Sequence, residues 1–331
     1  MGRLRRLRPV LVLAAAAGVV ALLWARGPDW GGVGHALAEM EWSWAAVAIV
    51  LNLLSAIARA LSWRTVVVEA VPRPHPRLLD LFSAFFIGIF ANGILPGRIG
   101  EVARIGVLVR RMPQRRGLWG ALLGSVVAHR LLEIFPSLAL IVWVLFVAKV
   151  PAWGRVALWS VFAAGAAVFV IGIVLARRYE REHPLELGRV RAGIESVRRG
   201  LAVMRTPGAA LRATWWQTAG WALQLAAVWT AMRAFHLVLP LAAAGVVLAL
   251  MNVALILPLW PGNVGLQQAA IALPLLSYDV PYAHGFAYGI GLQAIESSVG
   301  YVLGVAFLLR EGIGLRALRH RLAPDEAPLS R

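Results

Sequence analysis

Seven ionisable side chains stand inside stretches apolar enough for a bilayer: Arg59, Arg98, Glu101, Arg104, Arg130, Glu133 and Glu296. An ionisable group at membrane depth costs at least ~2.5 kcal/mol on insertion scales, so each needs a partner or a job. Two kinds of chemistry answer that demand. In one, Arg130 pairs with Glu133, and Arg98 or Arg104 with Glu101, three residues apart and on one helix face, holding segments together. In the other, four arginines against three acids leave a surplus of +1 for an anionic ligand, in particular a phosphate-bearing one. Arg104 lies towards a segment end, where its length also lets it snorkel.

Nothing in the sequence assembles an enzyme. The chain has no cysteine, which removes thiol chemistry, disulfides and Cys-based metal sites. No metal-ligand cluster, nucleophile with a base, or nucleotide-binding loop is legible, so neither metal nor cofactor is expected. His75 and Asp80 have the H-x4-D spacing of glycerolipid acyltransferases, but His75 sits in PRPHPR and no supporting motif follows. His129 has the ordinary pKa range of a proton carrier, yet a lone membrane histidine more often serves as a hydrogen-bonded structural group.

Two interrupted segments must position these side chains. LPGRIGEVARI, Leu95 to Ile105, breaks an apolar run with Pro96 and Gly97, then adds Gly100 and the charges. LPLWPGNVGLQQAAI, Leu257 to Ile271, repeats the break with Pro261, Gly262 and Gly265, followed by Asn263 and Gln268. The two breaks are 165 residues apart, and the same offset carries Asn52 onto Gln217 and Arg59 onto Gln224. This predicts a two-fold internal repeat, about 44–147 and 213–309. Backbone freed at membrane depth is tolerated only beside protein or a water-filled cavity, so such breaks mark binding sites in transporters. The amides of the helix after Pro96-Gly97 point at the first break, where they favour phosphate or carboxylate.

Composition sets the medium. Of 331 residues, 60% are hydrophobic and 15% charged, with a mean hydropathy of +0.72, as expected of an integral membrane protein and not of a soluble domain. The net charge of +17 is almost wholly arginine, Lys149 being the single lysine, and it gathers at segment ends. It therefore reports topology and anionic lipid, not nucleic acid.

The expected architecture is all-α, a polytopic bundle of six full spans plus two broken re-entrant hairpins, in one domain over 1–312. The spans are about 10–24, 44–68, 117–147, 156–176, 213–235 and 285–309. Arg3 to Arg8 before Val10 to Trp24 read as a retained anchor, not a cleaved signal. Arg73 and Arg77 before the first hairpin, and Arg110 to Arg116 after it, place both its ends in the cytoplasm by the positive-inside bias. The second hairpin lacks such a cluster and enters from the other face, which makes the repeat inverted. Residues 177–212, with nine arginines and four glutamates, form a surface amphipathic segment, and 313–331 a basic tail. Both termini are cytoplasmic. Trp42, Trp44, Trp153, Trp215 and Trp216 fall near expected interfaces and read as anchors. Gly285, Gly289, Gly291, Gly300 and Gly304 give the last span a small-residue surface for packing within one chain or between two copies.

LPGRIGEVAR, the HRLLE pattern at 129–133 and PGNVGLQQAA together resemble the lysylphosphatidylglycerol synthase transmembrane-region family of flippase-like membrane proteins, over roughly residues 8–312. Pro96, Gly97, Arg98, Gly100, Glu101 and Arg104 match its first motif. The second and third depart from it, since His129 and Gln268 stand where the family commonly shows acids. The resemblance implies movement of a phospholipid, aminoacylated or anionic, or of a polyprenyl-phosphate-linked lipid between leaflets of a bacterial plasma membrane. In the best-known members this domain is attached to a soluble aminoacyl-tRNA-dependent transferase, and this chain is expected to be the stand-alone membrane half. Arg98, Glu101, Arg104, Arg130 and Glu133 are the expected headgroup site, completed by Arg59, Asn263, Gln268 and Glu296. The rivals are a small-anion transporter and a non-transporting membrane partner of a glycosyltransferase or lipid synthase. Membrane lipids are the expected partners, and a homo-oligomer is compatible with the glycine surface.

Overall fold

A computed structural model of the chain describes residues 29–71, 73–95, 99–113, 118–178, 203, 206–256 and 263–312, with side chains of the 152–178 helix described to residue 171. The N-terminal span 10–24, Pro96, Gly97, Arg98, Pro261, Gly262, nearly all of 177–205 and the tail 313–331 lie outside the described residues. Everything described as regular is helical, as near-continuous apolar sequence in a membrane requires, because only a helix satisfies its own backbone there. The helices are α1 (Trp30–Ala38), α2 (Trp42–Ala70), α3 (Leu78–Ile94), α4 (Gly100–Arg111) and α5 (Leu118–Val147). They continue as α6 (Ala152–Arg178), α7 (Pro207–Ala234), α8 (Leu241–Ala254), α9 (Leu266–Leu275) and, after a short 3-10 turn, α10 (Tyr282–Glu311).

Four of these are long and apolar enough to cross a membrane: α2, α5, residues Ala152–Ile171 of α6, and α10. At 28 residues α7 is about 42 Å long and could also cross, but its buried Gln217, Gln224 and Thr230 lower its hydropathy. The chain is thus a polytopic helical membrane bundle. The arms α3 and α4, of 17 and 12 residues, reach only about 26 and 18 Å.

The offset of 165 recurs in the helix boundaries. Added to α2 it gives 207 and 235, against 207 and 234 for α7; added to α5 it gives 283 and 312, against 282 and 311 for α10. Likewise α3 falls on α8 and α4 on α9, within a few residues. The pair α2 and α7 forms the centre of the bundle. Ser55 Oγ donates to Gly220 O at 2.7 Å and Ser62 Oγ to Ala213 O at 2.9 Å, so partners descend along α7 as residues ascend along α2. The two helices are antiparallel. Ser55 and Gly220 are themselves 165 apart. An internal two-fold axis therefore passes through their contact, and the two series of helices run in opposite senses about it.

Around this centre lie two cores. Trp63, Leu81, Phe85, Ile105, Leu108 and Leu122 fill the one between α2, α3, α4 and α5. Met232, Phe235, Leu248, Ile271, Tyr288 and Leu292 fill the other, between α7, α8, α9 and α10. Backbones approach closely where glycine allows it. A Cβ on Gly100 would stand 2.0 Å from Gly88 O, which locks α4 against α3, and Asn92 Oδ1 accepts the Gly100 N–H at 2.8 Å. The glycines of α10 are used within this chain: Gly285 meets Ala272, Gly289 meets Gln268, Gly291 meets Phe235, Gly300 meets Ile89 and Gly304 meets Phe90. At the end of α10, Glu311 accepts Ser83 Oγ at 2.8 Å and pairs with Arg111 at 2.9 Å, tying the helix to both arms of the first hairpin.

Candidate functional site

The first hairpin and α5 bring their charges into one chain of contacts. Arg130 on α5 donates through Nη1 to Glu133 Oε2 at 2.5 Å and through Nη2 to Glu101 Oε1 on α4. Arg104 Nη2 lies 2.6 Å from Glu101 Oε2, close as an ion pair though not aligned as a hydrogen bond. Glu133 Oε1 in turn faces Arg59 Nη1 of α2 at 3.9 Å. The sequence Arg104, Glu101, Arg130, Glu133, Arg59 therefore runs across three helices with charges alternating.

Aromatic rings and backbone fix these groups. The guanidinium of Arg104 lies 4.7 Å above the ring of Trp63, whose Nε1 donates to Ser125 Oγ. Arg104 is only 5% exposed, so it does not snorkel: the Trp63 face and the Glu101 carboxylate hold it inside. Arg59 lies 5.3 Å from the centroid of Trp221 on α7. Replacing the hydrogen on Gly220 with a methyl would bring it within 2.9 Å of Arg59 Cγ, so a small residue there leaves room for the arginine stem. His129 is buried, with Nε2 3.2 Å from Arg59 O and its ring edge-on to Phe85. It braces α5 against α2 and does not line the cavity described next.

Beside this network is an open cavity of about 600 Å³. Glu101, Arg130 and Glu133 line one part of it, with Arg130 nearly half exposed. The remaining wall is mostly aliphatic, from α5, α6, α8 and the turn after α8, and includes Leu140, Val161, Val168, Val253 and Ile256. Charge meets hydrocarbon across one hollow. Besides the aliphatic liners, the sequence reading missed Ser137, Trp221 and Asn252, which bring polar or aromatic groups to the wall. Asn252 had a usable signal, as a single amide in the otherwise apolar run of α8.

The other expected site residues are placed apart. Glu296 on α10 accepts Gln224 Nε2 at 2.5 Å, and Asn52 binds the backbone carbonyl of the same residue. Gln268 is 2% exposed; its oxygen accepts the Gly265 N–H at 2.6 Å and its nitrogen donates to Gln293 at 2.5 Å. That is a helix cap for α9. Asn263 is 3% exposed, with Nδ2 3.5 Å from Ala254 O. None of Glu296, Gln268 and Asn263 lines the cavity. Among the described residues the network contains Arg59, Arg104 and Arg130 against Glu101 and Glu133, and Glu296 brings the acids level with the arginines. The surplus of one positive charge read from the sequence rests on Arg98, outside the described residues. No group of three or more His, Cys, Asp or Glu able to hold a metal occurs among the described residues.

Compared with known proteins, residues 10–304 match the family model described as Lysylphosphatidylglycerol synthase TM region. No curated protein and no solved structure matches the chain.

Proposed function

The chain belongs to the lysylphosphatidylglycerol synthase transmembrane-region family, and we propose that it moves a lipid with a phosphate-bearing headgroup from one leaflet to the other. The cavity carries this reading, because one hollow offers charged side chains and a long aliphatic wall. A headgroup beside Glu101, Arg130 and Glu133 exchanges water for fixed charges, while its chains stay against Val161, Val168 and Val253. A small soluble anion has no use for such walls. The alternating network suits a headgroup that carries both charges, or an anion that also reaches Arg98. Translocation needs no bond to be made or broken, so the chain acts as a carrier and not as an enzyme.

The same reading places α3–α4 and α8–α9 as re-entrant hairpins from opposite faces of a bacterial plasma membrane, with both termini in the cytoplasm. The short arms and the antiparallel centre support it, since inverted repeats commonly place substrate between two broken helices. Membrane lipids are then its partners, and a separate synthase or glycosyltransferase would supply or consume the lipid.

The test is leaflet exchange of short-chain fluorescent lipids in proteoliposomes, comparing phosphatidylglycerol, its aminoacyl form and a polyprenyl phosphate. Exchange selective for one headgroup and lost in Arg130→Ala, with the variant folded, is the expected result. Exchange unchanged in Arg130→Ala rejects the site, and no exchange of any lipid by folded protein rejects the function.

A further inference from the structure

Gln217 of α7 is fully buried, and neither atom of its amide has a hydrogen-bond partner among the described residues. Its surroundings follow from its neighbours. Ala213, one turn earlier, packs with Ala128 and Leu132 of α5, while Trp221, one turn later, lines the cavity with Leu131 and Ile134. Residues four apart share a helix face, so Gln217 lies on the face of α7 that meets α5, beside the contacts that Ala213 and Gly220 make with α2.

Its counterpart 165 residues earlier, Asn52, is 7% exposed, and its amide nitrogen is engaged. Asn52 Nδ2 donates to the carbonyls of Ile295 at 3.3 Å and Glu296 at 3.2 Å on α10. Shifted by the same offset, those acceptors become Arg130 and Leu131 of α5. One amide hooks its helix; the other is unhooked, and the repeat assigns it that matching turn. The halves differ in openness too: Asn252 lines the cavity, whereas its counterpart Ile87 has no exposure, and Ile256 is 52% exposed against 2% for Ala91. Two copies of one architecture thus hold two conformations. Exchanging them between the halves gives a second state with the same kinds of contact, which opens the opposite side.

We infer that Gln217 is a positioning residue of the cavity, whose amide nitrogen in the opposite state donates to the carbonyls of Arg130 and Leu131 while Asn52 releases α10. The inference rests on the transport reading for its purpose, but the geometry behind it does not. Engagement at Arg130 would shift the turn that carries the cavity's central charge, and so couple the state of the bundle to the headgroup site.

The chain has no cysteine, so an introduced thiol is the sole reporter. The rate of maleimide labelling is compared for Asn252→Cys and Ile87→Cys in detergent-solubilised full chain. Each reporter is placed in the unaltered chain and with Gln217→Met, Gln217→Asn or Asn52→Leu. Gln217→Met is expected to slow labelling at residue 87 at least fivefold and leave residue 252 as fast or faster. Gln217→Asn restores the parental rate, because asparagine does this work in the other half. Asn52→Leu shifts both rates the opposite way. An amide that is only structural, or satisfied by a buried water, would leave both rates unchanged in Gln217→Met while thermal stability rises; that result overturns the inference. Leaflet exchange is run on the same variants. Labelling that responds without lipid movement keeps the switch and rejects the substrate reading. Exchange at the parental rate with unresponsive labelling rejects the switch and keeps the substrate reading.

Discussion

Gly100 and Gly265 stand 165 residues apart, each at the start of a hairpin's second arm, and the structure needs glycine at each for a different reason. Gly100 provides space, since a Cβ there would lie 2.0 Å from the backbone oxygen of Gly88. Gly265 provides conformation, with φ at +90° before α9. The other matched positions diverge in the same manner. Arg59 enters an ion network in the first half, and its counterpart Gln224 hydrogen-bonds Glu296 in the second. A shared architecture keeps its breaks and its glycines while the linked ion pairs gather in the first half, and the cavity beside them draws its wall from both halves. The difference teaches that symmetry here governs where helices go, and side chains decide which half carries the ion network.

The sharpest way to break that comparison is at the paired glycines. Gly100→Ala forces backbone against backbone, and overpacking of this kind costs up to about 3 kcal/mol. Gly265→Ala costs less, about 1–2 kcal/mol for a left-handed residue bearing a Cβ. Thermal unfolding of the purified protein in detergent should rank the two in that order. Equal losses would show that the tight α3–α4 contact is relaxed in solution.

The next effect separates the charged half from the neutral one. Glu133→Ala leaves Arg130 and Arg59 facing each other without the carboxylate between them. Breaking a fully buried pair costs about 3–5 kcal/mol, and the open cavity admits water, so a loss of about 2 kcal/mol is expected. The matched residue of α10, Ser298, donates only to the Ile295 carbonyl at 2.8 Å. Ser298→Ala should cost no more than about 0.5–1 kcal/mol. Lipid exchange should follow the same split, abolished in Glu133→Ala and retained in Ser298→Ala.

The helix pattern was readable because its causes are local. Apolar runs, the Pro-Gly breaks and the 165-residue offset all lie in the chain order, and the pairing of Arg130 with Glu133 follows from spacing on one helix. Joining Glu101 of α4 to Arg130 of α5 needs the hairpin's tertiary path, which no spacing encodes. Gln268 shows another limit of chain order. Its position after a broken segment suggested a ligand contact, whereas its oxygen caps α9 and its nitrogen meets Gln293. Val161 and Val168 were invisible as cavity liners because a valine facing lipid and one facing a cavity are the same to hydropathy. Glycines of α10 left the choice between packing inside and between chains open, and only their neighbours decided it.

The smallest effects lie where each half ties down the end of its long helix. In one half, Glu311 of α10, its side chain only 4% exposed, holds the half-exposed Arg111 of α4. In the other, just past α5, the backbone N–H of Lys149 donates to Tyr278 Oη at 2.9 Å and its ammonium lies 5.9 Å from the same ring. One tie is ionic and the other largely neutral, so salt should tell them apart. Tyr278→Phe removes one hydrogen bond, an effect of about 0.5–1 kcal/mol that ionic strength should hardly alter. Arg111→Ala removes a partner that water already reaches, so its effect should be smaller and should fade as added salt shortens the screening length. Glu311→Ala should exceed both, because Ser83 and Arg111 lose the same acceptor at once. If salt erases the difference between Glu311→Ala and the unaltered chain, the tie is ionic alone; a residue that persists at high salt belongs to the Ser83 bond and to the packing of α10 on the first hairpin.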